Sequence, residues 1–155
     1  MRRLAAIVAL AQRVADHPRD SATFEPRECG FKIVRLVAYP TYADIEAVKT
    51  SDHTLYDQYT YRNGKAAFEG PGGTLDKNQN TIDPNTVNWD ALPNLIRQAD
   101  AELNVPNPTI HYIIVDSDII NQQPELFVYV SDDYGGGYLR ADLTGKVTRK
   151  VPRGS

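Results

Sequence analysis

Cysteine is nearly absent from this chain: Cys29 stands alone, so no disulfide can close within it. That fits a reducing compartment without excluding an exported protein that lacks bridges. Clustered basic charge is scarce too. The 17 Lys and Arg are outnumbered by 20 Asp and Glu, for a formal charge of −3. An electrostatic grip on nucleic acid needs Lys and Arg gathered on one face, so nucleic acid is excluded as the expected partner. Arg149, Lys150 and Arg153 do gather, but at the C-terminal tip, where a small basic group reads as a solvated end. Long hydrophobic runs are missing as well. Leu4 to Ala11 spans eight residues, whereas a bilayer-crossing helix needs about 20, so no transmembrane segment is expected.

The signatures of several chemistries are also lacking. His17, His53 and His111 are far apart, and no pair has metal-ligand spacing. No Ser lies between spaced glycines in a strand-turn-helix context, and Cys29 has no nearby His to activate it. The run Gly135-Gly136-Gly137 leads into a strand pattern, whereas phosphate loops open a helix. Catalytic residues and cofactors are therefore expected to be none, and the run reads as a turn or bulge that lets another element approach.

At 155 residues the chain is long enough to bury roughly 70% of its unfolded surface in one core. A single domain over 1–155 is expected. Met1 to Ala11, a basic start followed by an apolar stretch and small residues at Ala9 and Ala11, resembles a signal peptide. The preferred reading is a helix with Leu4, Ile7, Val8, Ala11 and Val14 on one face. Residues 17–30 read as an exposed connection. Val151 to Ser155 resembles a thrombin site without its leading Leu and is set aside as a candidate tag remnant.

What the chain does have is strands, twice over. Phe31 to Ala38 is rich in β-branched residues and stops before Pro40. Tyr42 to Lys49 alternates, with Ala43, Ile45 and Ala47 on one face. Leu55 to Arg62 sets Leu55, Asp57, Tyr59 and Tyr61 opposite Tyr56, Gln58 and Thr60. Asn63-Gly64 then supplies a two-residue hairpin into Lys65 to Glu69. Residues 70–86, with Pro71-Gly72-Gly73 and Pro84, read as a linker. Trp89, Leu92, Ile96, Ala99 and Leu103 form a helical stripe, with Asp90 as the expected N-cap and Pro93 tolerable in the first turn. Thr109 to Val115 is apolar on both faces and should sit centrally. Strands at Leu126 to Val130, Tyr138 to Leu143 and Lys146 to Val151 follow.

Ile45 and Leu126, Asp52 and Asp133, and Gly64 and Gly145 are each 81 positions apart. This constant spacing suggests a duplication, with a first repeat over 4–69 and a second over 87–151. The expected fold is α+β: two tandem repeats, each a helix and four antiparallel strands, joined into one curved sheet with the helices on one face.

Tyrosine is the residue class out of proportion, nine of the fourteen aromatics. Tyr56, Tyr59, Tyr61, Tyr129, Tyr134 and Tyr138 lie on or beside the duplicated strands. Tyr joins an apolar body to a polar tip, which suits half-wet binding faces, although rings that merely cover a sheet edge would give the same pattern. Asp116, Asp118, Asp132 and Asp133 offer hard oxygen ligands, but they lack the spacing of an EF-hand loop. Polar strand-end turns are the expected explanation, because Asp and Ser bond their own backbone there.

The helix ending near Leu103, the strands Ile110 to Val115 and Leu126 to Val130, and Gly137-Tyr138-Leu139 with the Gly145-Lys146 hairpin are similar to PepSY-type modules. The tandem arrangement resembles the β-lactamase inhibitor proteins. Tyr56-Asp57-Gln58-Tyr59-Thr60-Tyr61-Arg62-Asn63-Gly64, followed by Trp89-Asp90-Ala91-Leu92-Pro93, resembles a function-unknown C-terminal module of predicted actinobacterial membrane proteins. The likeness covers roughly Ile33 to Lys150 and carries over no catalytic residue. It implies a non-enzymatic binding module, inhibitory or sensory, on the extracytoplasmic side of a bacterial membrane. Such a module would present its Tyr-rich sheet face to a protein or peptide. The competing expectation is a small-molecule- or metal-binding enzyme domain with an acidic pocket near the 116–118 and 132–133 turns.

Overall fold

The structure, a computed structural model, describes residues 32–63, 65–117 and 122–155. The expected N-terminal helix or signal segment, Cys29, Gly64 and Asp118 lie outside these residues. Eight strands form one antiparallel sheet. They are β1 (Ile33–Ala38), β2 (Tyr42–Val48), β3 (Leu55–Arg62), β4 (Lys65–Thr74), β5 (Ile110–Ser117), β6 (Pro124–Asp132), β7 (Gly135–Ala141) and β8 (Val147–Val151). The order across the sheet is β4-β3-β2-β1-β5-β6-β7-β8.

The expectation of two helix-plus-four-strand repeats with helices on the sheet is overturned. Among the described residues there is one α-helix, α1 (Leu92–Glu102), preceded by short 3₁₀ turns at Pro84–Thr86 and Trp89–Ala91. The architecture is a single open antiparallel sheet rather than a pair of α+β units. Strand alternation is visible in sequence because each strand needs it, but nothing in that pattern requires one helix for every four strands. Residues expected as linker do part of the covering instead. Ile33 and Ile82 exchange backbone hydrogen bonds at 2.8 Å, and Ile82, with Val87 just beyond the expected linker, is buried in the core. The edge strand β4 runs on to Thr74, through Pro71 and two register shifts against β3. A Pro and irregular pairing are tolerated there because an edge strand needs only one ladder.

The sheet is joined at its centre by β1 and β5, where Leu36 faces Val115 and Ala38 faces Ile113. The doubly apolar pattern read in 109–115 is thus realised at the middle of the sheet. One face is the core: Leu36, Ile45, Ile113, Val115, Leu126, Val128, Val130 and Leu139 are all buried. Helix α1 lies over β6 and β7 and buries Leu92, Leu95, Ile96 and Ala99, with roughly 1.5–3 kcal/mol of transfer free energy for each large side chain. Asp90 is not its cap. It sits in the preceding 3₁₀ turn, and Ala91 takes the N-cap position without a side-chain bond. Trp89 Nε1 donates to the Pro84 carbonyl at 2.9 Å and so ties the two turns together. Sheet and helix are further linked by His111 Nε2 and Asp100 Oδ1, 2.7 Å apart.

Gly137 shows why the glycine run is there. A Cβ at this position would stand 2.6 Å from the Val151 carbonyl oxygen and 3.2 Å from Leu103 Cβ, so only Gly lets β8 and the end of α1 approach β7. The C-terminal residues set aside in sequence take part in these contacts. Val151 pairs with Tyr138, and the Arg153 N–H donates to the Leu103 carbonyl at 2.9 Å.

Candidate functional site

Alternation that turns Ile113, Val128 and Leu139 into the core turns their neighbours outward, and those neighbours are aromatic. On the opposite face Tyr112, Tyr129 and Tyr138 are cross-strand partners on β5, β6 and β7. Tyr39 follows β1 and Tyr42 opens β2, and the tight turn between them has Tyr39 N–H donating to the Tyr42 carbonyl at 2.8 Å. Their rings make a continuous ladder across the strands. Tyr42 and Tyr39 are 4.6 Å apart, Tyr39 and Tyr112 5.5 Å, Tyr112 and Tyr129 4.8 Å, and Tyr129 and Tyr138 5.1 Å. Phe127 leans on Tyr129 and Tyr138. Each end carries a guanidinium: Arg62 lies 4.8 Å from the Tyr42 ring centre, and Arg140 lies 5.5 Å from that of Phe127.

The geometry decides what the ladder can offer. Tyr112 and Tyr129 are 3° from parallel, and Tyr39 and Tyr42 16°. Tyr42, Tyr39, Tyr112 and Tyr129 therefore cover one another's faces, with Arg62 over Tyr42 and Arg140 over Phe127, whereas Tyr138 is tilted by 31° from Tyr129. Ring edges and hydroxyl tips remain available. Burial holds the Tyr39 and Tyr129 hydroxyls above the usual tyrosine range, reinforced by neighbouring Tyr42 and Asp44 at Tyr39 and by Tyr112 and Tyr138 at Tyr129. Both thus remain protonated donors under ordinary conditions.

Beside the ladder, over β1 to β5, lies a concavity of about 460 Å³ whose lining includes Arg35, Tyr39, Asp44, Glu46, Gln58 and Tyr112. Arg35 is 3.4 Å from Asp116. Burial pushes the Glu46 carboxyl up, and the Asp116 charge adds to this. Arg35 and a hydrogen bond from Gln58 oppose it. The Asp116 carboxyl is also raised by burial, against the Ser117 N–H and Arg35.

The six tyrosines singled out from sequence do not form one patch. Tyr129 and Tyr138 are in the ladder. Tyr59 and Tyr61 are on the core side, with Tyr61 3% exposed and in the core cluster and Tyr59 edge-on to Phe68 at 5.7 Å. Tyr56 is on the ladder's side of the sheet but packs near Gly72 and Gly73 on the edge strand. Tyr134 is 90% exposed in the β6–β7 turn. Sequence reasoning missed Tyr39, Tyr42, Tyr112 and Phe127. Strand alternation gave the signal for Tyr112, since it faces away from Ile113.

The acidic residues are dispersed. Asp116 faces Glu125 on β6, and Asp132 lies seven residues further along that strand, a distance of roughly 23 Å. Asp132 is held by Arg153 Nη1 at 2.9 and 2.8 Å and accepts the Tyr134 N–H at 2.9 Å. Asp133 is exposed in the turn. Among the described residues no group of three or more His, Cys, Asp or Glu could hold a metal ion. None of their helices is long and apolar enough to cross a membrane.

No protein-family model matches the chain, and no solved structure does. Two uncharacterised proteins of Mycobacterium tuberculosis, one from each of two strains, are 31% and 30% identical to it over 110 residues. The aligned region is 68% of this chain and 38% of each relative, so the chain spans well under half the length of the proteins it matches.

Proposed function

We propose that the protein is a non-enzymatic binding module whose ladder-bearing sheet face receives a protein or peptide. The observation that carries this reading is the ladder itself: five Tyr and a Phe, half-buried and in contact from four strands and a turn, on the face away from the core. Rings stacked face to face, as Tyr42, Tyr39, Tyr112 and Tyr129 are, leave little open face for a base or a sugar. Hydroxyl tips above an apolar body suit the alternating polar and apolar character of a polypeptide. The dispersal of Asp116, Asp132 and Asp133 speaks against an enzyme pocket built on the 116–118 and 132–133 turns together.

A displayed peptide library panned against the full chain tests the reading. Selected peptides should bind the parent, lose about tenfold or more in affinity for Tyr112→Ala/Tyr129→Ala, and lose less for Tyr112→Phe/Tyr129→Phe, which keeps the rings. Failure to select any binder, or selected peptides indifferent to both double variants, would defeat it.

A further inference from the structure

We infer that the concavity beside the ladder seats a cationic side chain, the Lys or Arg of a partner segment; this inference rests on the binding face proposed above. Charge complementarity carries it. The described residues that line the concavity include three carboxylates, Asp44, Glu46 and Glu69, and one basic side chain, Arg35. Arg35 is itself engaged by a fourth carboxylate, Asp116, at 3.4 Å. The lining is therefore net negative, and the Glu46 carboxylate stands in a partly desolvated place where an arriving positive charge is worth more than in open water.

The molecule shows the same recognition elsewhere on this face. Arg140 lies over Phe127, and its Nε donates to Glu125 Oε2 at 2.8 Å. A cation there is gripped by a ring and a carboxylate together. The concavity offers the carboxylate half of that grip in Asp44 and Glu46, while Tyr39 and Tyr112, their faces taken by stacking, line it with ring edges and hydroxyl tips. Asp44 is close enough to act on the Tyr39 hydroxyl electrostatically. The volume of about 460 Å³ lies inside the range of roughly 300–1,000 Å³ common to ligand sites. It leaves room for a long side chain and the backbone on either side of it. An anionic partner would meet like charge at Asp44, Glu46 and Glu69, which costs affinity and slows encounter.

Three capped tripeptides serve as probes: acetyl-Gly-Arg-Gly-amide, its Lys counterpart and its citrulline counterpart, which keeps the shape of Arg without the charge. Each is titrated into the isotope-labelled full chain and followed by amide chemical shifts. The Arg and Lys peptides should move the amides of Asp44, Glu46 and Thr60, and the citrulline peptide should bind at least about tenfold more weakly. Glu46→Gln and Asp44→Asn should each weaken the Arg peptide severalfold while leaving the rest of the spectrum in place. Equal binding of the Arg and citrulline peptides, shifts confined to other surfaces, or no response at millimolar peptide would overturn the inference. The binding face stands or falls separately. Library peptides that need the ladder but carry no excess of Lys or Arg would defeat the cation seat alone, whereas a library without binders would defeat the wider reading.

Discussion

Tyr112 and Tyr129 face each other across β5 and β6 with ring centres 4.8 Å apart and planes 3° from parallel. The pair sits mid-ladder, so its stacking holds together the two sides of the outward face. A double-mutant cycle with Tyr112→Ala and Tyr129→Ala should return a coupling of about 1 kcal/mol in urea unfolding. Strict additivity would mean that the rings are neighbours without being a unit.

The other face yields a contrasting expectation. Tyr61 is in the core, and its buried hydroxyl has no hydrogen-bond partner among the described residues. An unsatisfied buried hydroxyl costs about 1–3 kcal/mol. Tyr61→Phe should therefore raise stability, by roughly 1 kcal/mol once the unfolded state is allowed for. A lower unfolding midpoint would show that the hydroxyl has a use.

How these tyrosines divide was only half legible in sequence. Alternation correctly put Tyr59 and Tyr61 on one side of β3 and Tyr56 on the other, because side-chain direction in a strand is a local property. Which rings meet is not local. Tyr112 reaches Tyr39 only because β5 pairs with β1, a contact between residues far apart in the chain. Tyr39 follows a strand and Tyr42 opens one, so their meeting depends on turn geometry rather than on periodicity. The central place of β5 was visible in its two apolar faces. The helix over 92–102 was legible in its apolar stripe; the other expected helix lies outside the described residues, and among those the segment 82–87, through a 3₁₀ turn, brings Ile82 and Val87 to the core.

The far end of the ladder depends on a buried ion pair. Glu125 is 9% exposed and accepts from Arg140, which also covers Phe127. Arg140→Ala would leave a buried carboxylate without its cation, a loss of about 3 kcal/mol. Adding Glu125→Gln should recover part of it. If the single variant unfolds at the same denaturant concentration as the parent, Arg140 is only a surface cover.

Glu46 makes folding pH-dependent. Burial raises its folded-state pKa above the unfolded value, so ionisation is less favourable in the folded chain. Stability from this group falls as pH rises from about 4.3, the unfolded value, through the raised folded one, and the loss is complete above it. Glu46→Gln should therefore raise the melting temperature at neutral pH, with the gain disappearing below about pH 4. A variant less stable at neutral pH would show that Glu46 is a structural ion-pair member instead.

The central claim is that the ladder face receives a polypeptide, and chemical-shift mapping of a library-selected peptide on the full chain tests it most directly. The largest amide shifts should fall on Tyr39, Tyr42, Tyr112, Tyr129 and Tyr138. Shifts centred on α1, or on the β4 and β8 edges with the ladder unmoved, would contradict it.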